Sequence, residues 1–575
     1  MRKIKRVIGY TLGIAMVLIA AIFLLNLHLT KRLERYLRKE LIHRTAEATD
    51  GFYRLSFDNL SISFFKGELT LEGIKLCPDS VVFRDWERKD SLPSVYVTAE
   101  VGMVDFKGLN LTWRRSYKQL HFDSFEIRNP DIQVFNPYYS TRAEVKERKE
   151  AEIKTLYEVV SPYINVLTVR MLNLENASVS YSVENPVSPI VYALNDVSFH
   201  AYGFRLDENS SESGKLLYCD NFDFITKRSQ TLLANNDFRL QTDRILLSTE
   251  DSIISISNIT LTPQGELWGE QKKRPDSYLN ALIRAIEVKG IQFRRENALN
   301  YLTARSLDII SSDIQAFNLA GESLPSAKKT EKKSLNEAEA DSLVRSLSLY
   351  ELISPVLHTV SIGTVGIGQA KLQYSFAVKD KIEVYKLANF DFQANDFRID
   401  SVSETQRGFW YSRGFSFEAT GIEGLMTARN HRFTVKRMTL DTESGDFNLE
   451  RIRLYPLSVC GQNDYMAGSI DTVGIRGLLY DKGISARLLK IDRPNLRYVL
   501  FSSFNKKDVK SVKPANSRVG VESILNPFLR YFSVKRLSLN HAYVTIDDKS
   551  MSDPVTYKLN DFHFFANGIS VNRQT

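Results

Sequence analysis

The residue types that most often carry chemistry are sparse in this chain of 575 residues, and their spacing does not match a known kind of site. The eight histidines are scattered, and no HExxH sequence of a zinc peptidase occurs. Neither a GxSxG nucleophile elbow nor a phosphate-binding P-loop occurs. The sequence therefore predicts a protein that is not an enzyme, with no catalytic residue, no metal site and no cofactor.

The three cysteines, Cys77, Cys219 and Cys460, lie far apart and form no CxxC pair. They cannot build a disulfide framework, because at most one pair could bond. Buried, unreactive thiols are the simplest interpretation.

One phrase of sixteen residues occurs three times, which a single catalytic loop would not do. YALNDVSFHAYGFRLD begins at Tyr192, YKLANFDFQANDFRID at Tyr385 and YKLNDFHFFANGISVN at Tyr557. The residues before each phrase also align without a gap, in alternating apolar and polar columns. Alternation with period two is typical of strands with one apolar face, so each window is predicted to be a strand–turn–strand unit.

A second landmark supports the repeat. The phrases NPDIQVF, SSDIQAF and RPNLRYV place Asp131, Asp313 and Asn495 at a constant spacing of 182 residues. Polar connectors of variable length follow the landmarks, and we expect them to be partly helical and exposed to solvent, because loops absorb insertions. The chain is thus predicted to contain three β-repeat units, which are residues 51–191, 192–384 and 385–575, with the third expected to be incomplete.

The repeat also accounts for residues that would otherwise suggest a site. Gly366, in a glycine-rich GIGQA sequence, aligns with Asn173 on the polar side of a strand, which argues against a nucleotide loop. His200 and His563 fall two columns apart in the repeated phrase. Neither histidine is therefore predicted to be a ligand.

The net charge of +8 is concentrated near the start of the chain, where residues 1–50 contain ten Lys or Arg and four Asp or Glu. A nucleic-acid-binding protein would be expected to show basic stripes in its folded part, and the remaining sequence shows none. We therefore expect no nucleic-acid partner.

The same region contains a predicted membrane anchor. Residues 7–27, VIGYTLGIAMVLIAAIFLLNL, are uncharged, and a helix of this length spans roughly 30 Å, the thickness of a hydrocarbon core. No small-residue cleavage site follows, so the helix is expected to be retained, with residues 1–6 as a cytoplasmic tail. Residues 28–50 are predicted to form an amphipathic helix. It lies either near the lipid headgroups or with its leucines on the adjoining domain.

The segment that follows, TDGFYRLSFDNLSISFFKGELTLEGIKL, together with the tail, anchor and amphipathic stretch, resembles the opening of AsmA-like proteins of bacterial envelopes. The matching positions are Gly51, Leu55, Phe57, Leu60, Ile62, Leu69, Leu71, Ile74 and Leu76. The resemblance implies a single-pass protein of the bacterial inner membrane, with a cytoplasmic N-terminus and a periplasmic body. That body would be a long, U-shaped β-sheet whose apolar groove carries phospholipids toward the outer membrane, as in bridge-like lipid-transfer proteins.

The expected fold class is therefore mainly β, with one N-terminal transmembrane helix followed by an elongated, curled repeat β-sheet and short helical connectors. The expected partners are phospholipid acyl chains, the inner membrane through residues 7–27, and a periplasmic or outer-membrane protein. The candidates for lining the groove come from the aligned apolar columns: Leu167, Val169, Leu174, Val179, Val360, Ile362, Ile367, Leu372, Phe532, Val534, Leu539 and Val544.

Two other functions are compatible with the sequence. A structural or scaffolding envelope protein would have the same fold with a filled β core. An enzyme whose site escapes recognition by motif, such as a carbohydrate-active β-solenoid, would be expected to show shorter coils and clustered acidic residues.

Overall fold

The structure is a computed structural model, and the residues it describes form twenty segments of the chain. These are residues 31–63, 66–89, 92–93, 95–114, 117–136, 157, 161, 164–183, 190–210, 215–233, 238–263, 277–296, 299–318, 357–378, 381–402, 411–458, 464–480, 484–501, 531–550 and 553–572. The anchor predicted at residues 7–27 lies outside them. Among the described residues, no helix has the length and apolar character needed to cross a membrane.

Within these residues the chain is mainly β, as the alternating pattern predicts. Residues 31–48 are helical and are called α1, and α2 covers Ser80–Arg88. The Asp79 carboxylate caps α2 by accepting hydrogen bonds from two backbone N–H groups of its first turn. The strands are β1 (Tyr53–Ser56), β2 (Asn59–Ser63), β3 (Glu68–Pro78), β4 (Tyr96–Lys107), β5 (Asn110–Arg114), β6 (Tyr117–Asn136), β7 (Val166–Val183), β8 (Ile190–Leu206), β9 (Asn221–Leu233), β10 (Phe238–Ser248), β11 (Ile253–Pro263), β12 (Ser277–Lys289), β13 (Gln292–Glu296), β14 (Leu299–Asn318), β15 (Thr359–Val378), β16 (Lys381–Ile399), β17 (Gly414–Met426), β18 (His431–Asp441), β19 (Asp446–Pro456), β20 (Tyr465–Arg476), β21 (Leu479–Tyr480), β22 (Ile484–Asp492), β23 (Asn495–Leu500), β24 (Tyr531–Asp548) and β25 (Val555–Asn572).

The described residues fall into two units, unit 1 within Met1–Ile259 and Phe293–Asn297, and unit 2 within Thr260–Gln292 and Ala298–Thr575. In unit 1, β3 pairs with β1 and β2, and the pairing continues through β4, β6, β7, β8, β9 and β10, with β5 as a short hairpin strand on β6. In unit 2, β12 pairs with β14, and β14 to β20 then pair in chain order. Both β22 and β23 lie between β20 and β24, and β25 pairs with β24.

Parallel pairing recurs once in each copy of the repeat. The pair β6–β7, the pair β14–β15 and the pairing of β22 and β23 with β24 are parallel, whereas the other strand pairs named above are antiparallel. A parallel partner needs a crossover of a dozen residues or more, and each parallel junction follows one of the long polar connectors. The connectors themselves lie largely outside the described residues, so their predicted helical content stays a prediction.

The backbone repeats as the sequence does. The residue two positions before Asp131, Asp313 or Asn495 adopts the left-handed conformation in each copy. These residues are Asn129, Ser311 and Arg493, with φ of 50°, 51° and 50°. Residues other than glycine rarely adopt this backbone conformation except where the surrounding structure imposes it. Its recurrence confirms the repeated β-sheet architecture, while the unit boundaries 51–191, 192–384 and 385–575 stay predictions.

A second left-handed position marks the repeated strands β7, β15 and β24. Asn176, Gln369 and His541 have φ of 54°, 55° and 51°, and the strand register shifts immediately after each of them. The next residue is an alanine in every copy, and these alanines, Ala177, Ala370 and Ala542, are at most 1% exposed. The bulge turns each of these Cβ atoms into the interior of the protein, which is close-packed.

The helix α1 lies against the start of the sheet in unit 1. The Arg38 guanidinium donates hydrogen bonds of 3.0 Å to the backbone oxygens of Phe57 and Asp58 and stacks on the Phe57 ring. The Glu34 carboxylate accepts a hydrogen bond from the Ile62 backbone N–H at 3.1 Å. These contacts come from polar side chains, and Leu41 of α1 is exposed, so both interpretations of residues 28–50 stay predictions.

The cysteines divide between two environments. Cys219 is buried, as the sequence predicts, in a small cluster with Ala201 and Phe222. Cys77 is exposed on β3, so the expectation of a buried thiol is wrong there. The reason is its place next to the end of an alternating strand, where the side chain points away from the apolar face. Cys460 lies outside the described residues.

Candidate functional site

Apolar side chains of unit 2 lie opposite one another on strand after strand and form a continuous line, which we call the first apolar row. It crosses eleven strands from β12 to β25. Its members are Ile286, Ile309, Ile367, Phe392, Phe417, Leu440, Phe447, Ile475, Leu489, Leu537 and Ala566. At a strand spacing of about 4.8 Å, ten steps give a path on the order of 50 Å.

A second apolar row runs beside the first across eight strands, from β12 to β20. Its members are Ala281, Ile314, Leu372, Leu387, Ile422, Val435, Ile452 and Ile470. Strands that bring apolar residues into line at two levels build a broad apolar face, not a single stripe.

The two rows lie on the same face of the sheet, although they are separated by five residues on β15. The Phe392 ring of the first row stacks on Phe390, two residues away on the same side of β16. Phe390 lies opposite Ala370, and Leu372 of the second row lies two residues beyond Ala370. The left-handed residue between the rows re-aims the strand, because five residues of regular strand would have sent the second row to the opposite face.

Most side chains of this face are only half-buried. In the first row only Phe392 is buried, at 8% exposed, and in the second row only Val435, at 7%. Residues in a filled hydrophobic core are usually buried almost completely. The apolar face of unit 2 is therefore partly open to solvent along both rows.

One end of the face is closed in every copy. Val169, Ile362 and Val534 occupy equivalent columns and are 4%, 6% and 2% exposed. Around Ile362 the closure is a cluster that also contains Ala304, Val360 and Ile399, against which Tyr411 and Ile291 pack. The copies thus combine a packed end with a half-open stretch.

The twelve candidates from the sequence all lie opposite apolar residues on both neighbouring strands. They divide between the packed end and the half-open stretch. Buried are Val169, Val360, Ile362 and Val534, and half-buried are Leu167, Leu174, Val179, Ile367, Leu372, Leu539 and Val544. The side chain of Phe532 lies outside the described residues, although its strand position pairs with Ile484 and Val571.

The opposite face of unit 2 is polar. A cavity of about 880 Å³ is lined by residues that alternate with the first apolar row, including Gly366, Asp391, Gln393 and Glu418, and also by members of the row, such as Phe392. Glu418 is paired with Arg437 at 2.8 Å, and Asp391 accepts a hydrogen bond from the Gln369 backbone N–H. The residues that alternate with the first row therefore offer polar groups, whereas the row itself offers apolar side chains.

Two buried aspartates with lowered pKa values, Asp105 on β4 and Asp547 at the end of β24, lie in ion pairs. Burial alone would raise the pKa of Asp105, but hydrogen bonds from Lys107 and Thr70 outweigh it and hold that pKa below its ordinary value. Hydrogen bonds from Thr556 and Arg497 likewise lower the pKa of Asp547. Both aspartates are hydrogen-bonded between neighbouring strands, so these shifts indicate structural ion pairs more than a reaction centre.

The structure brings together one group of residues that the sequence comparison kept apart. His541 on β24 and Asp561 and His563 on β25 lie side by side, with 2.9 Å between His541 Nδ1 and Asp561 Oδ1. Column-by-column comparison missed this group, because it compares copies and not neighbouring strands. The signal that could have found it is the hairpin register, which places Ala542 opposite Phe562.

No protein-family model matches the chain, and no curated protein matches it. A solved structure described as that of the sex pheromone staph-cAM373 precursor shares 11% sequence identity over 62% of this chain and 89% of that chain. Its TM-score is 0.10, so it carries no argument about the fold or function of this protein.

Proposed function

We propose that this protein binds phospholipid acyl chains along its apolar face and conducts them between the inner and outer membranes of a bacterial envelope, contributing to outer-membrane biogenesis. The observation that carries the proposal is the first apolar row, which continues in register across eleven strands and is half-buried at all but one position. An acyl chain needs such a continuous apolar path. A folded core would not leave it partly open.

The energetics favour passage over capture. Each methylene removed from water contributes about 0.8 kcal/mol of favourable free energy. A path that shields the acyl chain from water therefore avoids the large free-energy cost of exposing it when it leaves a bilayer. Leucine, isoleucine and phenylalanine side chains offer the acyl chain much the same surroundings as the bilayer interior. The acyl chain can therefore move along the rows without being held in a deep free-energy minimum. This movement needs no catalytic residue.

The proposal includes the location of the protein. Residues 7–27 anchor it in the inner membrane as a single pass, residues 1–6 lie in the cytoplasm, and the β-repeat body lies in the periplasm as an elongated, U-shaped groove. A periplasmic or outer-membrane protein is the partner proposed for the far end. The uncharged stretch of the sequence and the resemblance of the segment from Gly51 to AsmA-like proteins support this part.

Two adjacent residues provide a matched test. Leu372 belongs to the second apolar row, and Gln373 points to the opposite face of the same strand. A photo-crosslinking amino acid is placed at either position of the full chain in growing cells, and adducts are identified by mass spectrometry. We expect phospholipid adducts from position 372 and few or none from position 373.

A charge at each position tests whether the path is used. Leu372→Asp and Gln373→Asp change the net charge equally, and only the first puts a carboxylate on the apolar face. We expect Leu372→Asp to reduce lipid crosslinking at position 367 several-fold, whereas Gln373→Asp leaves it unchanged. Equal adducts at positions 372 and 373, or lipid crosslinking that is indifferent to Leu372→Asp, would contradict the proposal.

The packed cluster around Ile362 favours a second candidate, a non-catalytic scaffold of the envelope with a filled β core. In that case the side chains at positions 367 and 372 would contact protein, so the crosslinks would be internal or to a protein partner. The same experiment therefore separates the two functions.

A further inference from the structure

A three-residue cluster lies on the last hairpin, on the side that alternates with the apolar positions Phe562 and Phe564. It consists of His541, Asp561 and His563, and all three side chains are exposed. One donor atom from each lies within 4.8 Å of the others. The two imidazole rings meet edge to face, with 4.6 Å between their centroids.

The backbone explains why these side chains converge. His541 is the left-handed residue of the bulge in β24, and Asp561, opposite the bulge on β25, is also left-handed, with φ of 51° for both. Asp561 and His563 are two residues apart and therefore project from the same side of β25. The bulge turns His541 toward them instead of along the regular strand.

The other two copies have the same bulge but different side chains. The equivalent residues are Asn176, Asp196 and Ser198 in the first copy, and Gln369, Asn389 and Asp391 in the second. The bulge is thus common to the repeat, and only the third copy fills these positions with two imidazoles and a carboxylate.

We infer that His541, Asp561 and His563 bind a divalent transition-metal ion of the zinc class. Two imidazole nitrogens and one carboxylate oxygen form a donor set that Zn²⁺, Co²⁺, Ni²⁺ and Cu²⁺ share, with bonds of about 2.0–2.2 Å in zinc sites. Donor atoms that already lie within 4.8 Å of one another need only side-chain rotation to surround an ion. Three protein ligands leave a coordination position open to water.

The bound ion would link β24 to β25. A ligand that binds only the folded hairpin stabilises it in proportion to the logarithm of the ion concentration over the dissociation constant. The alternative for the same geometry is a solvent-exposed His541–Asp561 hydrogen bond, with His563 stacked beside it and no affinity for a metal. The two alternatives differ in what a titration with the metal alone shows.

Cobalt is the probe, because Co²⁺ bound by imidazole and carboxylate absorbs visible light in a way that reports its geometry. The full chain is purified, treated with a chelator, and titrated with Co²⁺, and Zn²⁺ is then added to displace it. We expect one site with a dissociation constant of about 10 µM or below.

The variants come from the first copy of the repeat, so the bulge is preserved. His541→Asn introduces the residue found at Asn176, which holds the left-handed conformation in the same frame, and His563→Ser introduces the residue found at Ser198. Each is expected to weaken Co²⁺ binding at least about tenfold, since each removes one of three ligands. His200→Ala is the control, because His200 also pairs with a carboxylate, Glu175, at 2.7 Å; it should leave binding unchanged.

Circular dichroism and limited proteolysis check that the variants fold, which their exposed positions favour. A dissociation constant above about 1 mM for the unaltered chain overturns the inference. So does binding that survives both His541→Asn and His563→Ser, or that is lost in His200→Ala. None of these results depends on whether the apolar face carries lipid.

Discussion

Ile362 and Ile367 lie five residues apart on β15, and only Ile362 is packed into a buried cluster, where it is 6% exposed. Val365, between them, packs on the cluster that contains Ile362. It lies two residues before Ile367 and therefore on the same side of the strand as Ile367. Five residues of one strand therefore lead from the closed end of the apolar face to its half-open stretch. A carboxylate at position 362 would test the packed core, whereas one in the open stretch tests the path.

The first prediction compares these two isoleucines. Ile362→Ala should lower the free energy of unfolding by about 2–4 kcal/mol, because it leaves a cavity in a packed cluster. Ile367→Ala should cost about 1 kcal/mol or less, because its side chain is already partly solvated. The shift in the denaturant midpoint, followed by far-ultraviolet circular dichroism and by pulse proteolysis, measures both.

An equal loss for both variants would show that the face is filled at position 367 as well. That result would favour the scaffold with a filled core over the lipid path. Val534→Ala, at the packed end of the third copy, serves as a positive control for the large effect.

The second prediction concerns the bulge at Gln369, whose φ is 55°. A β-branched residue is strongly disfavoured in this conformation, so Gln369→Val should destabilise unit 2 by about 1–3 kcal/mol. Lys371→Val, two residues along the same strand and exposed, should be neutral or slightly stabilising, because valine favours extended backbone. Thermal unfolding of the two variants side by side is the measurement.

A neutral Gln369→Val would mean that β15 runs through this point without the bulge. In that case the two apolar rows would no longer share a face, and the path of the proposal would be reduced to one row.

The sequence predicts the apolar face well and its details poorly. The alignment of the three repeats placed Leu174, Ile367 and Leu539 in one column, and the structure gives all three half-buried positions opposite apolar neighbours. The same reasoning could not separate them from Val169 and its equivalents, because closure at that end depends on residues distant in sequence.

The bulges and the parallel pairs were not predictable in the same way. Asn176, Gln369 and His541 share a backbone conformation but no residue type, so the left-handed position leaves no constant mark in the sequence. The alanine after each of them is constant, although only the structure shows that it is buried. The length of the polar connectors could have indicated the parallel junctions, since an antiparallel hairpin needs only a few residues.

The third prediction separates the two described cysteines. Burial, and then the charge of Asp220, raises the pKa of the Cys219 thiol to about 11. At about pH 8 only about one thiol in a thousand would be ionised, whereas Cys77 is exposed. In a Cys460→Ser chain, Ellman's reagent should therefore label one thiol quickly, and that label should disappear in the Cys77→Ser variant of this chain.

Two quickly labelled thiols in the Cys460→Ser chain would show that the cluster of Ala201, Cys219 and Phe222 opens readily. Unfolding in denaturant should expose the second thiol and provides the reference for complete labelling.

The last prediction concerns acid stability of the final hairpin. Asp547 accepts hydrogen bonds from Thr556 on β25 and from Arg497 on β23, at 2.8 and 2.7 Å, and these contacts hold its pKa below the ordinary value of 3.8. The unfolded chain therefore takes up a proton more readily than the folded one as the pH falls. The contribution of this carboxylate to stability is complete at neutral pH, and it is lost as the pH drops below about 4 toward the lowered pKa of the folded state.

Asp547→Asn removes that contribution. Amide hydrogen exchange in β24 and β25, corrected for the intrinsic rate at each pH, should show lower protection for the variant at pH 7 and a smaller difference from the unaltered chain at pH 3. Asp553→Asn, at an exposed position just before β25, provides the control and should change protection little at either pH. A constant difference between Asp547→Asn and the unaltered chain from pH 7 to pH 3 would mean that packing around residue 547, and not its charge, holds the hairpin to β23.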